Sequence, residues 1–406
     1  MIDNGYLHTG NKVQCFGCEA CAQACVNHAI TIVSDDEGFR YPKLDSAKCI
    51  NCGLCRKVCP SSEMPAQKSE PIYTWGGYSL NADIRSASTS GGLFSAIVDA
   101  NADEDTIIFG AEANGLDVRH CWIKGTTELS RFRKSKYLQS EIGSSFADAK
   151  RFIFEGKRVI FSGTPCQIAA LRKFLDNVDQ SRLLAIEVVC EGVPSPTFIQ
   201  KFADWLGRKL GGNVESLDYR YKDGRKWDFE VMLASLQNPT RGIFKWKQDR
   251  WFNPFWSIWL QHLMSRPSCY QCPFATRKRY ADISLGDLWG VHLYCPELYG
   301  HNGGCSVVFC NTLKGKLALE KTMPNLYGHE LATDIAIRYQ GPMRNHFAEN
   351  PRRAEFMSDL KTVPYENLVR KWAKRPTLKL LWQKYVWGNR QKVWLWNLFH
   401  KRSFEQ

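Results

Sequence analysis

The sequence contains no run of eighteen consecutive apolar residues, so no segment is predicted to cross a membrane as a helix. Residues 1–10 lack the charged start and apolar stretch of a secretory signal peptide. Acidic residues are scarce near the end of the chain, because residues 361–406 contain eleven Lys or Arg but only Glu366 and Glu405 as acids. These absences favour a cytoplasmic protein whose net charge of +13 lies largely in a basic tail.

Cysteine, by contrast, is abundant, with 16 residues in a chain of 406. A chain of this length can form two or three domains with large cores and does not need a disulfide scaffold. Eight of the cysteines form two quartets with the same spacing, C-x2-C-x2-C-x3-C. The first quartet is Cys15, Cys18, Cys21 and Cys25, and the second is Cys49, Cys52, Cys55 and Cys59.

This spacing is typical of proteins that carry two cubane iron–sulfur clusters. Three thiols that are two residues apart can surround one cluster, whereas the fourth cysteine of each quartet ligates the other cluster. The predicted ligands are Cys15, Cys18, Cys21 and Cys59 for the first 4Fe–4S cluster and Cys49, Cys52, Cys55 and Cys25 for the second. Zinc is the alternative occupant, but zinc prefers two separated C-x2-C pairs to tight triplets.

The order of predicted elements divides the chain into four parts. Residues 1–62 are predicted to form an α+β, ferredoxin-like unit that contains a hairpin between the two quartets. The polar residues 63–72 are predicted to form a linker. Strands and helices alternate through much of residues 73–345, which is the pattern of an α/β domain. Residues 346–406 are predicted to form a basic, helical, aromatic tail.

Three motifs in the α/β domain can bind ligands. Ser88–Gly92 precedes an apolar helix, and its hydroxyls, glycines and N–H groups suit an anion such as a pyrophosphate, although a simple helix cap is the alternative. Cys166 and Cys190 each follow a predicted buried strand, at the edge of a parallel sheet where ligands bind. Farther along the chain lies the C-x2-C-P motif of Cys269, Cys272 and Pro273.

Together these motifs resemble the family of coenzyme F-420 hydrogenase/dehydrogenase β subunits, over about residues 1–310. The segments that carry the resemblance are Ser88–Leu93, Gly163–Arg172 and Cys269–Gly290. Members of this family are flavoproteins in which FAD lies beside iron–sulfur clusters, and several of them carry a fused ferredoxin unit. Known relatives reduce deazaflavin, chlorophyll-type substituents or sulfite. The sequence looks most like a bacterial branch that accompanies surface-polysaccharide genes.

The resemblance implies a third 4Fe–4S cluster, with ligands Cys166, Cys190, Cys269 and Cys272. The alternative is that Cys166 and Cys190 are ordinary buried thiols. The remaining cysteines, Cys121, Cys295, Cys305 and Cys310, are predicted to be core thiols.

The resemblance also implies that the α/β domain binds FAD. The implied FAD contacts are Ser88, Ser90, Gly91, Gly92, Lys136, Tyr137, Ser140, Gly163 and Thr164. For the lysine-rich loop that includes Lys134 and Lys136, a solvated loop is the alternative. Asp282 and Asp287 are predicted either to orient a substrate or a flavin nitrogen or to cap turns.

The predicted function is therefore that of an iron–sulfur flavoprotein oxidoreductase, whose role in surface-polysaccharide biosynthesis follows from the branch it resembles. Electrons from ferredoxin or another low-potential donor would pass through the clusters and FAD to an organic substrate. The alternative is a non-catalytic electron-transfer subunit that feeds a partner enzyme.

The tail is predicted to bind an anionic membrane surface from the cytoplasmic side. Its aromatic residues are interleaved with Lys and Arg, a pattern that suits the membrane interface. These aromatic residues are Trp372, Trp382, Tyr385, Trp387, Trp394, Trp396 and Phe399. The alternatives are tryptophans that pack on the protein body and, less favoured, a tail that binds nucleic acid.

Overall fold

The computed structural model describes residues 5–66, 68–223, 227, 231–299 and 303–399. Residues 1–4, which belong to the segment without signal-peptide features, lie outside this described part. Residues 400–406 of the predicted tail lie outside it as well. The side chain of Trp396 does so as well. Among the described helices, none has the length and apolar character needed to cross a bilayer.

The strands fall where β-branched and aromatic runs are bounded by turn residues. They are β1 Ile30–Ser34, β2 Arg40–Leu44, β3 Tyr73–Ser79, β4 Ile107–Asn114, β5 Asp117–Lys124, β6 Val159–Gly163, β7 Leu183–Val188, β8 Asn213–Tyr221, β9 Val231–Asn238, β10 Gly242–Asp249, β11 Ile283–Asp287, β12 Ser306–Cys310 and β13 Leu326–Glu330. The predicted hairpin between the cysteine quartets is confirmed as the antiparallel pair β1–β2.

Several helices begin at a capping residue or proline, as at Thr164, Ser195 and Asn253. The α-helices are α1 Tyr6–Thr9, α2 Ala20–Gln23, α3 Leu54–Lys57, α4 Ala82–Ser86, α5 Leu93–Asn101, α6 Ser145–Phe154, α7 Pro165–Phe174, α8 Pro196–Leu210, α9 Pro254–Trp259, α10 Val291–Tyr294, α11 Leu313–Thr322, α12 Thr333–Arg338, α13 Arg353–Thr362, α14 Tyr365–Trp372, α15 Leu378–Leu381 and α16 Asn389–Phe399. A π-helical turn, Trp382–Val386, joins the last two.

A mixed sheet of eight strands organises the α/β domain, in the order β13-β3-β12-β11-β7-β6-β4-β5. The four strands β11, β7, β6 and β4 are parallel to their neighbours in this group, and the other pairings are antiparallel. Phe161 and Ala185 pack against α6 and α7 on one face, while Ile160 and Leu184 pack against α5 and α11 on the other. The prediction of an α/β domain is therefore confirmed.

A second, smaller sheet has the antiparallel order β10-β9-β8. Its apolar face packs with helices α8, α9, α13 and α14 around a core rich in aromatic residues, which includes Phe198, Phe255 and Trp256. The first part of the predicted tail belongs to this core, because Tyr365, on α14, is buried there and Trp372 is only 4% exposed. Residues 353–372 are thus structural elements of the body, and the exposed tail begins after them.

The N-terminal cysteine-rich unit packs directly on the α/β domain. The carboxylate of Glu19 accepts hydrogen bonds from the backbone N–H groups of Ile142 and Gly143, at 3.0 and 3.1 Å. The side chain of Gln23 accepts from the first N–H groups of α6, which have no partner within the helix. In the predicted linker, Glu63 forms an ion pair of 2.7 Å with Lys173 of α7. These contacts hold the cysteine quartets against the large sheet.

Candidate metal centres

The two cysteine quartets lie on loops of the same backbone shape. The residues two positions after each first cysteine, Gly17 and Asn51, have φ angles of 66° and 54°. The residues that follow each second cysteine, Glu19 and Gly53, have φ angles of 59° and 74°. Left-handed backbone at matching positions turns successive thiols toward one centre. The repeat extends to the short helices α2 and α3, which begin 34 residues apart.

The thiols of the quartets border two neighbouring cavities. The first cavity is bordered by Cys15, Cys18, Cys21 and Cys59. The second is bordered by Cys25, Cys49, Cys52 and Cys55, and Cys55 also reaches the wall of the first. The fourth cysteine of each quartet therefore lies beside the first three of the other quartet. This is the arrangement that crossed ligation of two clusters requires.

The donor set of these cavities suits iron–sulfur clusters. Burial raises the pKa of the thiols of Cys18 and Cys21 well above the ordinary value, and the charges of neighbouring cysteines raise it further. Such thiols stay protonated at neutral pH unless a metal replaces the protons. Four sulfur ligands around one cavity match the ligand set of a 4Fe–4S cluster. Ligation by these eight cysteines remains a prediction that the geometry accommodates.

The four cysteines predicted for a third cluster border one cavity of about 280 Å³. Cys166 follows β6 at the start of α7, and Cys190 follows the adjacent parallel strand β7, so both lie at the same sheet edge. Cys269 and Cys272 come from the turn Pro267–Gln271 and the residue after it. Burial raises the pKa of Cys269 to about 12 and that of Cys272 to about 11. This donor set also accommodates a cluster.

Backbone shape and a buried ion pair hold the third cavity open. Gly192 has a φ of 99°, and a Cβ atom at this position would lie 3.0 Å from Phe347 and 3.3 Å from Cys269. Its N–H donates to the Cys190 sulfur at 3.4 Å. The guanidinium of Arg279 donates to Glu187 of β7 and to two backbone carbonyls after Cys272. These contacts fix the C-x2-C turn against the strand that leads to Cys190.

Arg266 separates the first and third cavities. Its guanidinium donates to the Cys15 carbonyl oxygen at 2.9 Å, to the Cys15 sulfur at 3.4 Å and to Gln139 at 3.0 Å. The same guanidinium lies 4.3 Å from the centre of the Tyr41 ring. Phe16 borders both cavities. The three thiol-bordered cavities therefore lie in a row, with Cys55 and then Phe16 and Arg266 in the walls between them.

The loop Ser88–Gly92, predicted to contact FAD, makes its side-chain hydrogen bonds within the protein. The hydroxyl of Ser88 donates to the Ile84 carbonyl oxygen, and that of Ser90 donates to the Cys305 carbonyl oxygen. The Gly91 N–H donates to the Ser306 hydroxyl, and Gly92 precedes α5 with a φ of 84°. The loop lies next to the second predicted FAD segment, because the Ser135 N–H donates to Thr89 at 2.9 Å.

The other predicted FAD contacts occupy three environments. Lys136 donates to the carbonyl oxygens of Phe132 and Arg133, and burial lowers its pKa to about 8. Tyr137 packs in the aromatic core, with its ring centre 5.0 Å from that of Trp256.

Ser140 is hydrogen-bonded to His120 and Gln167, behind the turn that contains Gly163. Thr164 borders the third cavity.

Three cationic side chains, Arg220, Lys222 and Arg250, lie close together, and Arg250 is also close to Glu191, which borders the third cavity. Arg220 forms an ion pair with Asp287 at the end of β11. Lys222 donates to the carbonyl oxygens of Arg85, Ser90 and Gly303. Burial, together with the charges of Arg85 and Arg220, lowers the pKa of Lys222 to about 7. Burial lowers the pKa of Arg250 to about 10. This crowding of positive charge is suited to a group that carries phosphates.

The two aspartates singled out in the sequence have structural partners. Asp282 is buried, forms an ion pair of 3.0 Å with Arg172, and accepts a hydrogen bond from the Ala185 N–H. Asp287 pairs with Arg220 at the sheet edge that carries Cys190. Asp282 therefore joins α7 to the sheet, while Asp287 lies within the cationic group.

Arg266 and the cationic group are not among the site residues that the sequence predicts. Arg266 stands three residues before Cys269, so the only local signal was an arginine next to a C-x2-C-P motif. Arg220, Lys222 and Arg250 come from the part of the chain after α8, and only the folded chain brings them close together and places Lys222 at the Ser90 carbonyl oxygen. Solvated surface arginines have the same appearance in a sequence.

Comparisons with known proteins agree with the motifs. Residues 156–332 match the family described as the C terminus of the beta subunit of coenzyme F420 hydrogenase/dehydrogenase, and residues 14–62 match the "4Fe-4S dicluster domain". The resemblance predicted from the sequence is thereby confirmed over these residues. The chain is an iron–sulfur protein related to the β subunits of that family.

Individual relatives are more distant. The chain is 35% identical over 70 residues to the I subunit of NADH-quinone oxidoreductase from Pelobacter propionicus, covering 15% of this chain and 38% of that protein. It is 21% identical over 286 residues to the F subunit of F(420)H(2) dehydrogenase from Methanosarcina mazei, covering 68% of this chain and 75% of that protein. A structure of the F420-reducing nickel–iron hydrogenase complex from Methanosarcina barkeri contains a chain of 17% identity and TM-score 0.45, with 70% of this chain and 97% of that chain covered.

Proposed function

We propose that this chain is an iron–sulfur flavoprotein oxidoreductase that conducts electrons from a low-potential donor, such as ferredoxin, to an organic substrate. The observation that carries the proposal is the row of three thiol-bordered cavities, which ends beside the cationic group of Arg220, Lys222 and Arg250. When bound, 4Fe–4S clusters exchange single electrons, and FAD exchanges one or two.

The end of the row near the second quartet is the proposed entry point for electrons. Cys52 is exposed, and two apolar side chains that border the same cavity, Val26 and Ile50, are 64% and 62% exposed. Exposed apolar groups beside a redox centre suit a transient contact with a donor protein. By contrast, the thiols of the first and third cavities are largely buried, so water is kept from the inner centres.

The opposite end of the row is the proposed FAD site. Glu191 borders the third cavity, and its charge acts on Arg250, which links the cavity to the cationic group. Lys222, with its pKa lowered to about 7, would regain full charge beside a pyrophosphate. The chain's own residues would thus bind the anionic part of FAD and place the flavin toward the sheet edge of Cys166 and Cys190.

Flavin binding by the cationic group can be tested with a matched pair of lysines. Lys222→Gln is expected to weaken FAD binding by about 10-fold or more, because it removes a partly buried positive charge, and a nearby unit charge contributes roughly 2 kcal/mol at the effective dielectric constant of a protein site. Lys201→Gln is the control, since Lys201 also donates to two backbone carbonyls but lies on α8. Quenching of flavin fluorescence on anaerobic titration measures both affinities. Equal affinity in the two variants, or no FAD binding by the unmodified chain, would remove the flavin site.

A second candidate function is a non-catalytic electron-transfer subunit. It is favoured by the names of the two relatives from Pelobacter and Methanosarcina mazei, which are subunits of larger enzymes. Under this function the electrons leave through a partner protein instead of an organic substrate. Reoxidation of the reduced, isolated chain by small organic acceptors supports the first function. A stable partner in anaerobic pull-downs, together with inertness toward such acceptors, supports the second.

The surface-polysaccharide role remains a prediction from the branch that the sequence resembles.

We also propose that the exposed tail binds an anionic membrane surface. Beyond the structural helix α14, Leu378, Trp382, Trp394 and Phe399 are 85%, 59%, 59% and 80% exposed. Four cationic residues are interleaved with them: Lys379, Lys384, Arg390 and Lys392. Large apolar side chains close to cationic ones match the composition of interfacial helices. Part of the segment touches the body, through Lys384 and Tyr385 near Trp251 and Phe252, and Val393 is buried.

Membrane binding is expected to be lost when the chain is ended at Arg375. This truncation keeps α13 and α14, and it keeps the hydrogen bonds between Lys374 and Ser257. Because each nearby cationic side chain contributes about 1 kcal/mol, the four interleaved ones are expected to make binding to phosphatidylglycerol-containing vesicles roughly 1000-fold tighter than binding to neutral vesicles. Co-sedimentation measures this preference. The proposal would be wrong if the full chain and the truncated chain bound anionic vesicles equally.

A further inference from the structure

A cluster of three metal-binding side chains lies apart from the thiol-bordered cavities. The Cys295 sulfur is 3.1 Å from a carboxylate oxygen of Glu297 and 3.2 Å from Nε2 of His329. The same Glu297 oxygen is 2.6 Å from Nε2 of His329. A thiol, a carboxylate and an imidazole, all common ligands of zinc, therefore have their ligand atoms close together.

Three different elements bring these side chains together. Cys295 directly follows α10 and is fully buried. Glu297 lies in the short turn Pro296–Leu298, and the Cys305 thiol donates to the Leu298 carbonyl oxygen in that turn. His329 comes from β13, the edge strand of the large sheet, and its side chain is 41% exposed. The cluster therefore has one buried side and one side open to solvent.

The hydrogen bonds of His329 set the tautomer that suits a metal. Its Nδ1 atom lies 3.0 Å from the Glu330 carbonyl oxygen, which can only accept a hydrogen bond. Nδ1 therefore carries the proton, and in the neutral ring the lone pair of Nε2 faces Glu297 and Cys295. Metal-binding histidines are commonly oriented in this way, with the other ring nitrogen donating to a carbonyl. In the absence of a metal, a proton on Nε2 makes the same contact with Glu297 as an ion pair, so a zinc ion would take the place of that proton.

We propose that Cys295, Glu297 and His329 form a zinc-binding site, with a fourth position open to solvent. Zinc with bonds of about 2.0–2.3 Å holds its ligands about 3.3–3.6 Å apart in a tetrahedron. The Cys295 sulfur therefore needs to move about 0.4 Å away from each of the other two atoms, and the Glu297 oxygen and Nε2 of His329, now 2.6 Å apart, need to separate by about 0.7 Å. Glu297 and His329 can make this adjustment because both side chains are partly exposed. The bound ion would tie the segment after α10 to the edge strand β13.

This site differs in chemistry from the proposed iron–sulfur centres. A mixed set of one sulfur, one nitrogen and one oxygen suits a divalent zinc ion, whereas the clusters take four thiolates. The site has no local signature in the sequence, because His329 is 32 positions from Glu297. The prediction that Cys295 is a core thiol agrees with its burial, but its sulfur also faces two further ligands.

The test compares Cys295 with an equally buried thiol, Cys310, that belongs to no such three-ligand group among the residues that the structure describes. Cluster-loaded full-length protein, purified anaerobically, is equilibrated with zinc and washed, and its zinc and iron are measured. The unmodified chain and Cys310→Ala are expected to retain about one more zinc ion per chain than Cys295→Ala, with iron unchanged in all three. Cys310 is a suitable control because it is also fully buried, on β12. Cluster cysteines that lack iron can also bind zinc, but all three proteins would retain equal amounts of that zinc, so it would not affect the comparison.

Glu297→Gln separates a metal ligand from a simple hydrogen-bond partner. The amide can still donate to Nε2 of His329, so a hydrogen-bond role would survive, but an amide is a poor ligand for zinc. Added zinc is expected to raise the melting temperature of the unmodified chain and not that of Glu297→Gln. Equal zinc retention by Cys295→Ala, Glu297→Gln and the unmodified chain would overturn the site, and so would an absence of zinc-dependent stabilisation in the unmodified chain.

Discussion

Combining Cys18→Ala with Cys59→Ala is expected to remove no more iron than either substitution alone. The structure places both thiols on the same cavity, so both variants would damage the same cluster. In contrast, combining Cys52→Ala with Cys59→Ala is expected to remove two clusters, because Cys52 borders the neighbouring cavity. The three proposed clusters together hold about twelve iron atoms, so the first pair would leave about eight and the second pair about four.

Ligation within each quartet makes the opposite prediction. Cys52 and Cys59 would then serve one cluster, and their double variant would lose only about four iron atoms. Iron analysis of the two double variants, with Cys121→Ala as a thiol control outside all three cavities, distinguishes the two arrangements. The electron paramagnetic resonance spectrum after dithionite reduction identifies which cluster remains. Crossed ligation would be wrong if the Cys18/Cys59 pair lost both clusters.

Replacing Cys190 with alanine is expected to disconnect the proposed N-terminal clusters from the proposed FAD. Cys190 borders the third cavity, which lies between the Arg266 wall and the cationic group. The variant should lose about four iron atoms, while the two N-terminal clusters should still be reduced by a donor. Reduction of bound FAD by reduced ferredoxin should fall to the background rate. Stopped-flow absorbance under anaerobic conditions separates cluster reduction from flavin reduction.

The control for this experiment is Cys310→Ala, which removes a buried thiol outside the row of cavities. It is expected to keep its iron and its rate of flavin reduction. Normal flavin reduction in Cys190→Ala that has lost four iron atoms would show that electrons bypass the third centre. Retention of all iron in Cys190→Ala would show that this cysteine is a structural thiol.

Local patterns in the sequence predict much of the architecture of the site. The quartets have fixed spacing because the thiols must surround a small cluster, so both halves of the N-terminal unit are visible in the sequence. The positions of Cys166 and Cys190 follow from parallel strands, whose carboxyl ends share an edge. In each case neighbouring residues carry the constraint.

Features that depend on contacts distant in sequence could not be predicted. Arg266 reaches Cys15 across 251 positions, and no periodicity reports such a contact. Tyr137 is a predicted flavin contact, but it packs with Tyr219 and Trp256, since an aromatic residue has the same appearance in a core and in a ligand site. Likewise, Trp372 is one of the aromatic residues of the predicted membrane-binding tail, but its ring is buried against α13.

Iron and acid-labile sulfide in the anaerobically purified full-length chain provide the most direct test of three thiol-bound clusters in a row. Three 4Fe–4S clusters predict about twelve iron and about twelve sulfide per chain. A value of about eight would contradict the third centre at Cys166, Cys190, Cys269 and Cys272. A colourless protein without iron would contradict the role assigned to every one of the twelve cysteines.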